Sequence, residues 1–167
     1  GTLLLNIEKN EWSQEIASVL AIDLAICPPL VSSTEEVGQL TEEFAKSTGL
    51  TTATKVYAGG ADNACGAIGA GIVANGKTMI SIGTSGVLLS YEQSKTKDFA
   101  GKVHYFNHAV TDAYYTMGVT LAAGHSLSWF REKFATRESY DELLAVINEV
   151  VPGSNGLLFT PYIVGER

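Results

Sequence analysis

The chain has 167 residues, 46% of them hydrophobic, and a formal net charge of -7 at pH 7. A chain of this length and composition can bury a core. Its negative charge argues against nucleic acid or an anionic membrane as the main partner, because both attract basic patches. The two cysteines, Cys27 and Cys65, lack the spacing of a disulfide framework or a structural zinc site. A cytoplasmic protein that acts on a small molecule is therefore expected.

Both ends of the sequence suggest a piece of a longer polypeptide. The chain opens directly in the apolar run Leu3–Leu5 and stops at Gly165-Glu166-Arg167 without a tail. It carries no basic leader and no apolar stretch near the roughly 20 residues that a membrane span requires. We therefore expect an internal fragment of a protein that is neither secreted nor inserted into a membrane.

Helical spacing dominates the first third of the sequence. Apolar residues recur every three or four positions from Trp12 to Leu20, which predicts one helix that ends near Ile26, before a Pro-Pro pair. A second, short helix is predicted over 41–48, with a threonine as N-cap and a stop at Gly49.

The middle of the chain alternates strands with a helix of small residues. A short strand is predicted at 55–58, followed by a helix at 62–73 whose alanines and glycines indicate close approach to neighbouring backbone. Two further strands, 78–82 and 86–90, are predicted to form a hairpin joined by Gly83-Thr84-Ser85.

The last third completes a mixed pattern of strands and helices. A surface loop is predicted at 93–102, a strand at 114–119 and an amphipathic helix from Gly124. Ser139 and Glu142 have the spacing of a capping box at the start of a final helix. Elements in this order indicate an α/β or α+β layered fold.

The segment from Gly71 to Thr78 matches the P-loop pattern GxxxxGK[ST]. A P-loop requires a strand before its first glycine and a helix after its lysine, so that backbone N–H groups converge on phosphate. Here a helix is predicted to precede the segment and a strand to follow it. The P-loop interpretation is therefore rejected, and a P-loop ATPase, in which Lys77 would be essential, is the weakest alternative function.

An acidic residue begins the small-residue helix. Asp62 follows a predicted strand and the Gly59-Gly60 turn, so a rigid element would hold its carboxylate with open backbone around it. One interpretation is that Asp62 caps the helix or interacts with its dipole. The other is that it acts as a base in catalysis.

Two glycine-containing turns are candidates for phosphate binding. The hairpin tip Gly83-Thr84-Ser85 brings two hydroxyls together with backbone N–H groups. Gly124 lies at a predicted helix N-terminus, where N–H donors and the positive end of the dipole favour anions. Taken singly, each also fits an ordinary turn or an ordinary helix start.

Four segments taken together resemble the FGGY family of carbohydrate kinases. GGADNACGAIGAG, SIGTSGVLLS, AAGHSLSWF and PYIVGER occur in the order and approximate spacing of that family's motifs, and the resemblance covers nearly the whole chain. It implies an α/β fold of the actin-like ATPase, or ribonuclease H-like, type. It also implies that residues 1–74 end an N-terminal, sugar-binding domain and that residues 75–167 begin a C-terminal, ATP-binding domain.

The same resemblance implies roles for individual residues. Asp62 matches the family's catalytic base, which accepts the proton of the sugar hydroxyl that attacks the γ-phosphorus of ATP. Asn63 matches a sugar-contacting position beside it. Gly83-Thr84-Ser85 matches the phosphate-binding hairpin, with the threonine expected at the γ-phosphate, and Gly124 matches a glycine that approaches the phosphates.

The opening GTLLLNIEKNEWSQEI and the segment GADNA resemble most the family members that convert D-xylulose to D-xylulose 5-phosphate. Kinases for gluconate, ribulose, fuculose, rhamnulose or glycerol are alternatives, because most sugar-binding residues have no counterpart here. ATP and Mg²⁺ are the implied cofactors; no direct metal ligand is assigned, and Asp62 is a candidate only through water. The implied partners are a sugar and ATP, with a homodimer of the intact protein, and the fragment alone is not expected to be an efficient kinase.

Parts of the sequence also fit a non-catalytic nucleotide-binding module or a metal site. A non-catalytic, actin-like nucleotide-binding module would use Asp62 only as a helix cap, so Asp62→Asn would preserve its function. His104 and His108 lie four residues apart, but their surroundings are strand-like and no third ligand is evident. We expect them to be structural histidines.

Overall fold

A computed structural model describes residues 2–94 and 99–166. The predicted loop at 93–102 falls partly on residues 95–98, which lie outside the described residues. None of the helices in the described part of the chain is long and apolar enough to cross a membrane. Its strands and α-helices are, in order, β1 (Leu5–Asn6), β2 (Glu11–Trp12), α1 (Gln14–Val19), β3 (Glu36–Gln39), α2 (Glu42–Thr48), β4 (Lys55–Tyr57), α3 (Asp62–Gly69), β5 (Thr78–Ile82), β6 (Gly86–Glu92), β7 (His104–Asn107), β8 (Tyr114–Thr120), α4 (Gly124–Phe134) and α5 (Tyr140–Ala145).

The strands form two small ribbons and one larger sheet. β1 pairs with β2, β3 pairs with β4, and the four-stranded sheet has the order β5-β6-β8-β7. In the predicted hairpin of β5 and β6, the Tyr91 N–H donates to the Lys77 carbonyl at 3.1 Å. The hydroxyls of Thr78 and Ser90 lie 2.7 Å apart across the same pair. The hairpin prediction is therefore confirmed.

The chain divides into two compact units. The first unit consists of Gly1–Met79 and Leu89–Met117, and the second consists of Ile80–Leu88 and Gly118–Arg167. The predicted division at residues 74 and 75 concerns the domains of full-length family members, and it stays a prediction.

The core of the first unit forms around α3. Ala64 and Ala67 are buried there, together with side chains from the neighbouring strands and loops: Ile72, Leu89, Tyr91, Ala109, Ala113 and Tyr115. Close packing is thus confirmed for the two alanines. It is wrong for Gly69 and Gly71, because a Cβ at either would meet no atom of the described residues within 4 Å. The helix also ends at Gly69, earlier than predicted, since Gly71 turns the chain at a φ of 74°.

The long helix predicted near the N-terminus is wrong in extent. Only Gln14–Val19 is α-helical, and Trp12 lies instead in β2, where its indole N–H donates to the Pro28 carbonyl at 2.8 Å. Ala21 adopts a φ of 52°, which takes the chain out of the helix. A separate 3-10 turn at Leu24–Ile26 follows. The predicted helix therefore corresponds to three distinct elements: β2, α1 and the 3-10 turn.

Two helices begin where the sequence predicts, because each is capped by hydrogen bonds between residues three positions apart. The Thr41 hydroxyl accepts the Phe44 N–H at 3.3 Å at the start of α2. At α5, the Ser139 hydroxyl accepts the Glu142 N–H at 3.2 Å, and the Glu142 carboxylate accepts the Ser139 N–H at 2.7 Å. The predicted N-cap and the predicted capping box are both confirmed.

The order of elements around the P-loop-like segment also agrees with its rejection. The segment lies after α3 and runs into β5, so a helix precedes it and a strand follows it. Lys77 is followed directly by β5 and not by the helix N-terminus that a P-loop requires to receive a phosphate.

Candidate active site

Asp62 is the first residue of α3 and directly follows a strand and two glycines. β4 pairs antiparallel with β3 before the turn. Gly59 turns the chain at a φ of 73°, a conformation that favours glycine. A Cβ on Gly60 would lie 3.0 Å from the Ala109 Cβ and 3.3 Å from the Cys65 sulfur, so there is little room for a side chain. The two glycines thus fix the path of the backbone into Asp62.

The carboxylate of Asp62 is exposed and accepts one hydrogen bond within the described residues. Its Oδ1 accepts the N–H of Asn63 at 2.7 Å. The N-cap of the helix is Ala61, which has no side-chain cap bond. Asp62 is therefore not the N-cap, although its carboxylate satisfies one of the free N–H groups of the first turn. Within the described residues its Oδ2 accepts no hydrogen bond, so this oxygen is available to take a proton.

The negative charge of Asp62 affects a buried tyrosine of the first unit, Tyr115. The pKa of the Tyr115 hydroxyl is raised above its ordinary value of 10.0, first because the ring is buried and second because the Asp62 carboxylate is negative. Tyr115 is only 4% exposed and belongs to the core that holds α3. Asp62 thus lies at the edge of a packed core with its carboxylate in solvent.

A polar cavity of about 460 Å³ opens in the first unit beside the start of α3. Gly60, Ala61 and Ala64 line it, whereas Asp62 and Asn63 do not. Its polar lining comes from segments far apart in the sequence, which is why spacing patterns did not indicate it: Lys9, Asn10, Ser32, Ser33, Glu35, Asn107, His108, Thr111 and Asp112.

His108 is a buried member of this cavity wall. It is 6% exposed, and its Nδ1 accepts the N–H of Val110 at 3.0 Å. Its ring meets those of Tyr91 and Tyr115 edge-on, at centroid distances of 5.5 and 6.0 Å. Burial lowers the pKa of His108, and the nearby backbone of Ile72 offsets part of that effect. Within the described residues, Nε2 makes no hydrogen bond of normal geometry. Packing accounts for this histidine, as the sequence predicts.

The predicted phosphate hairpin lies in the second unit. Gly83, Thr84 and Ser85 join β5 to β6, and all three are exposed. The Gly83 N–H donates to the Ser85 carbonyl at 2.9 Å and closes the turn. Within the described residues neither the Thr84 nor the Ser85 hydroxyl makes a hydrogen bond. Both hydroxyls are therefore available to an anion such as a phosphate.

The N-terminus of α4 is bonded to the carbonyl groups of this hairpin. The Gly124 N–H donates to the Gly83 carbonyl at 2.8 Å, and the Ala123 N–H donates to the Thr84 carbonyl at 2.9 Å. A Cβ on Gly124 would lie 2.5 Å from the Gly83 carbonyl oxygen, so only glycine fits without a shift of the backbone. The hairpin therefore takes up the Gly124 N–H, and Gly124 supports the hairpin. The predicted approach of Gly124 to the ATP phosphates stays a prediction.

The predicted site residues thus fall into two groups. Asp62 and Asn63 belong to the first unit, whereas Gly83-Thr84-Ser85 and Gly124 belong to the second, where they are in direct contact. A solvent-exposed carboxylate can accept a proton, and a hydroxyl-bearing glycine turn can bind phosphate oxygens. Proton removal and phosphate binding are two of the tasks in phosphoryl transfer to an alcohol.

Comparison with solved structures gives the class of protein. The chain matches a crystal structure of a xyloylose kinase from Brucella ovis with a TM-score of 0.86 and 32% identity, over 100% of this chain and 34% of that chain. The match extends over the whole described fragment, and the fold is that of the actin-like ATPases. The predicted fold class is therefore confirmed.

Sequence relatives give the family. Residues 1–69 match the N-terminal domain of the FGGY family of carbohydrate kinases. The chain is 60% identical over 167 residues to a xylulose kinase of Bacillus subtilis (strain 168), and 53% identical to one of Lactococcus lactis subsp. lactis (strain IL1403). The chain belongs to the FGGY family of carbohydrate kinases. It spans about a third of the length of these relatives, 34% and 33% respectively.

A relative with a different name is also similar. The gluconokinase of Bacillus subtilis (strain 168) is 29% identical over 178 aligned residues and is covered over 34% of its length. Sugar kinases with different names are therefore similar to this chain over its whole length.

Proposed function

We propose that the longer protein represented by this chain transfers the γ-phosphoryl group of ATP to a hydroxyl of D-xylulose, giving D-xylulose 5-phosphate. The observation that carries the proposal is the Asp62 carboxylate, exposed at the start of α3 with one oxygen held by the Asn63 N–H at 2.7 Å. The 60% identity to a xylulose kinase supports the choice of sugar. The activity is proposed for the intact protein, because this chain spans a third of its relatives.

Asp62 would act as the general base. Phosphoryl transfer depends mainly on positioning and charge neutralisation, with one proton to be removed from the attacking hydroxyl. A carboxylate oxygen within about 2.6 to 3.2 Å of that hydroxyl can remove it. The Asn63 N–H orients the carboxylate through Oδ1 and leaves Oδ2 for the substrate, while the Asn63 side chain would contact the sugar.

The hairpin Gly83-Thr84-Ser85 would hold the phosphates of ATP. Its two hydroxyls are exposed, and we propose the Thr84 hydroxyl as the contact to the γ-phosphate. Gly124 would approach the phosphates of ATP. It would also keep the hairpin seated on α4, which agrees with the 2.8 Å bond between its N–H and the Gly83 carbonyl. Mg²⁺ would neutralise charge on the phosphates, and Asp62 is our candidate to meet it through a water molecule.

We also propose a two-domain organisation for the intact protein. Residues 1–74 would end the sugar-binding domain and residues 75–167 would begin the ATP-binding domain, which is supported on the N-terminal side by the family match over 1–69. The sugar and ATP are the proposed partners, with a homodimer of the intact protein and the cytoplasm as its compartment.

A kinase for gluconate is the second candidate. It is favoured by the 29% identity to a gluconokinase over the full length of this chain. Both candidates would use the same base and the same hairpin, so they differ only in the sugar.

A substrate panel on the intact protein tests the proposal. Formation of ADP would be followed with D-xylulose, gluconate, D-ribulose and glycerol under the same conditions. We expect kcat/KM for D-xylulose to exceed that for each other sugar by about tenfold or more. A higher value for gluconate would replace the sugar assignment, and no ADP formation with any of them would overturn the kinase proposal.

A further inference from the structure

Glu166 makes a long-range contact with the junction between β8 and α4. Its Oε2 accepts the hydroxyl of Thr120 at 3.1 Å and the backbone N–H of Leu121 at 3.2 Å. The two donors are 46 and 45 positions away in the sequence. One carboxylate oxygen therefore holds both a side chain and the backbone at the end of β8.

The junction residue Thr120 also touches the phosphate hairpin. Gly86, the first residue after Ser85, is buried, and a Cβ on it would lie 3.0 Å from the Thr120 Cγ2. The Thr120 side chain thus packs its methyl group on the end of the hairpin while its hydroxyl bonds to Glu166. Fixing the hydroxyl fixes the χ1 rotamer, and with it the position of the methyl group.

The backbone of the junction reaches the hairpin in three residues. Leu121 is followed by Ala122, which is 1% exposed, and then by Ala123 and Gly124. The N–H groups of Ala123 and Gly124 donate to the carbonyls of the hairpin. A displacement of Leu121 would therefore pass to the bonds that seat the hairpin.

We propose that Glu166 is a positioning residue for the phosphate hairpin, acting through Thr120 and Leu121 and not by contact with ATP. This inference rests on the proposed function, since it assumes that the hairpin binds phosphate. A carboxylate suits the task because hydrogen bonds to an ionised acceptor are about twice as strong as neutral ones. Its negative charge would oppose direct binding of a phosphate, which agrees with an indirect role.

The test compares Glu166→Ala and Glu166→Gln in the intact protein. The alanine variant loses the acceptor, and we expect KM for ATP to rise about tenfold while KM for the sugar stays within about twofold. The glutamine variant keeps an acceptor oxygen without the charge, so it should recover most of the loss. Glu149→Ala is the matched control, because this exposed carboxylate forms no hydrogen bond or ion pair in residues 2–94 and 99–166.

Amide hydrogen exchange provides a second readout that does not depend on catalysis. We expect the Leu121 amide to exchange faster in Glu166→Ala than in the unaltered protein, with no change in the core strand β6. An unchanged exchange rate at Leu121, or equal rises in KM for ATP and for the sugar, would overturn the inference. If the unaltered protein shows no kinase activity, the proposed function fails, and the exchange rates still test the contact itself. If the alanine variant does not fold, Thr120→Val takes its place, because valine keeps the methyl group and removes the hydroxyl donor; an unchanged KM for ATP in it would overturn the inference.

Discussion

The two groups of site residues are held in place by different means. In the first unit, the Asp62 side chain lies in solvent. Within the described residues it accepts one hydrogen bond, from the N–H of the next residue, Asn63. In the second unit, the hairpin is held through its backbone, by N–H groups of α4 and by a glycine that leaves no room for a Cβ. The first arrangement depends on one functional group, whereas the second depends on the shape of the main chain. Substitutions should therefore affect different kinetic constants in the two units.

The largest effect is expected from Asp62→Asn in the intact protein. Asparagine keeps an oxygen for the Asn63 N–H but cannot take the proton, so kcat should fall by about 10²-fold to 10⁴-fold while the thermal midpoint is retained. Asp141→Asn is the matched control, since Asp141 is also an exposed aspartate in the first turn of a helix. Full turnover in the Asp62 variant would mean that this residue only caps the helix.

The second expected effect belongs to the hairpin. Gly124→Ala places a Cβ 2.5 Å from the Gly83 carbonyl oxygen, so the hairpin or α4 must shift. We expect KM for ATP to rise about tenfold, as for a moderate overpacking cost, with KM for the sugar little changed. Steady-state kinetics with each substrate varied in turn would measure this.

Gly118→Ala is the control for that experiment. Gly118 lies in β8 of the same unit, and a Cβ there would meet no described atom within 4 Å. Equal effects of the two substitutions would contradict the packing argument and leave backbone flexibility as the common cause.

A smaller effect, on stability and not on turnover, is expected from His108. Burial lowers the pKa of His108 below its ordinary value of 6.5 in the folded protein. Between the folded and unfolded pKa values the unfolded state binds more protons, so stability falls as the pH drops below about 6.5, by at most about 1.4 kcal/mol per pH unit. Urea unfolding at pH 7.5 to 5 should show this slope, and His108→Gln should reduce it. A slope that stays the same in His108→Gln would contradict this assignment.

The smallest effect is expected at the capping box of α5. Ser139→Ala removes the acceptor for the Glu142 N–H and should cost about 1 kcal/mol of stability. The N–H and hydroxyl of Ser139 lower the pKa of Glu142 below 4.5, so its contribution is present above that pH and is lost as the pH falls through the lowered value. Thermal midpoints at pH 7 and pH 3.5 would measure both, with Glu149→Gln as control. A Ser139→Ala protein with the same midpoint at pH 7 would show that α5 does not depend on its cap.

The parts of the fold that the sequence predicts well are those that depend on local contacts. Thr41, Gly49 and the Ser139–Glu142 pair act within one helical turn, so spacing alone identifies them. The hairpin tip and Gly124 were identified by residue type and by resemblance. The direction of the Gly124 N–H was not predicted, because it depends on the Gly83 carbonyl, which lies about 40 residues earlier in the chain.

The parts that sequence reasoning missed depend on contacts between distant segments. Trp12 fits a helical period, but its indole bonds to Pro28 and its backbone pairs in β2, so non-local pairing overrides the pattern. The polar cavity and the contact of Glu166 with Thr120 likewise join segments that no short motif connects. Small residues in α3 indicated close packing, yet only its alanines face the core of the described chain.

Asp62 is expected to supply chemistry while the hairpin supplies binding, and the two steps can be separated in one protein. The intact Asp62→Asn variant would be measured for Mg-ATP affinity by calorimetry and for a single turnover of D-xylulose at saturating ATP. We expect an ATP dissociation constant within about twofold of that of the unaltered protein and a chemical step slowed by about 10²-fold or more. An unchanged single-turnover rate, or a loss of ATP affinity as large as the loss of rate, would contradict it.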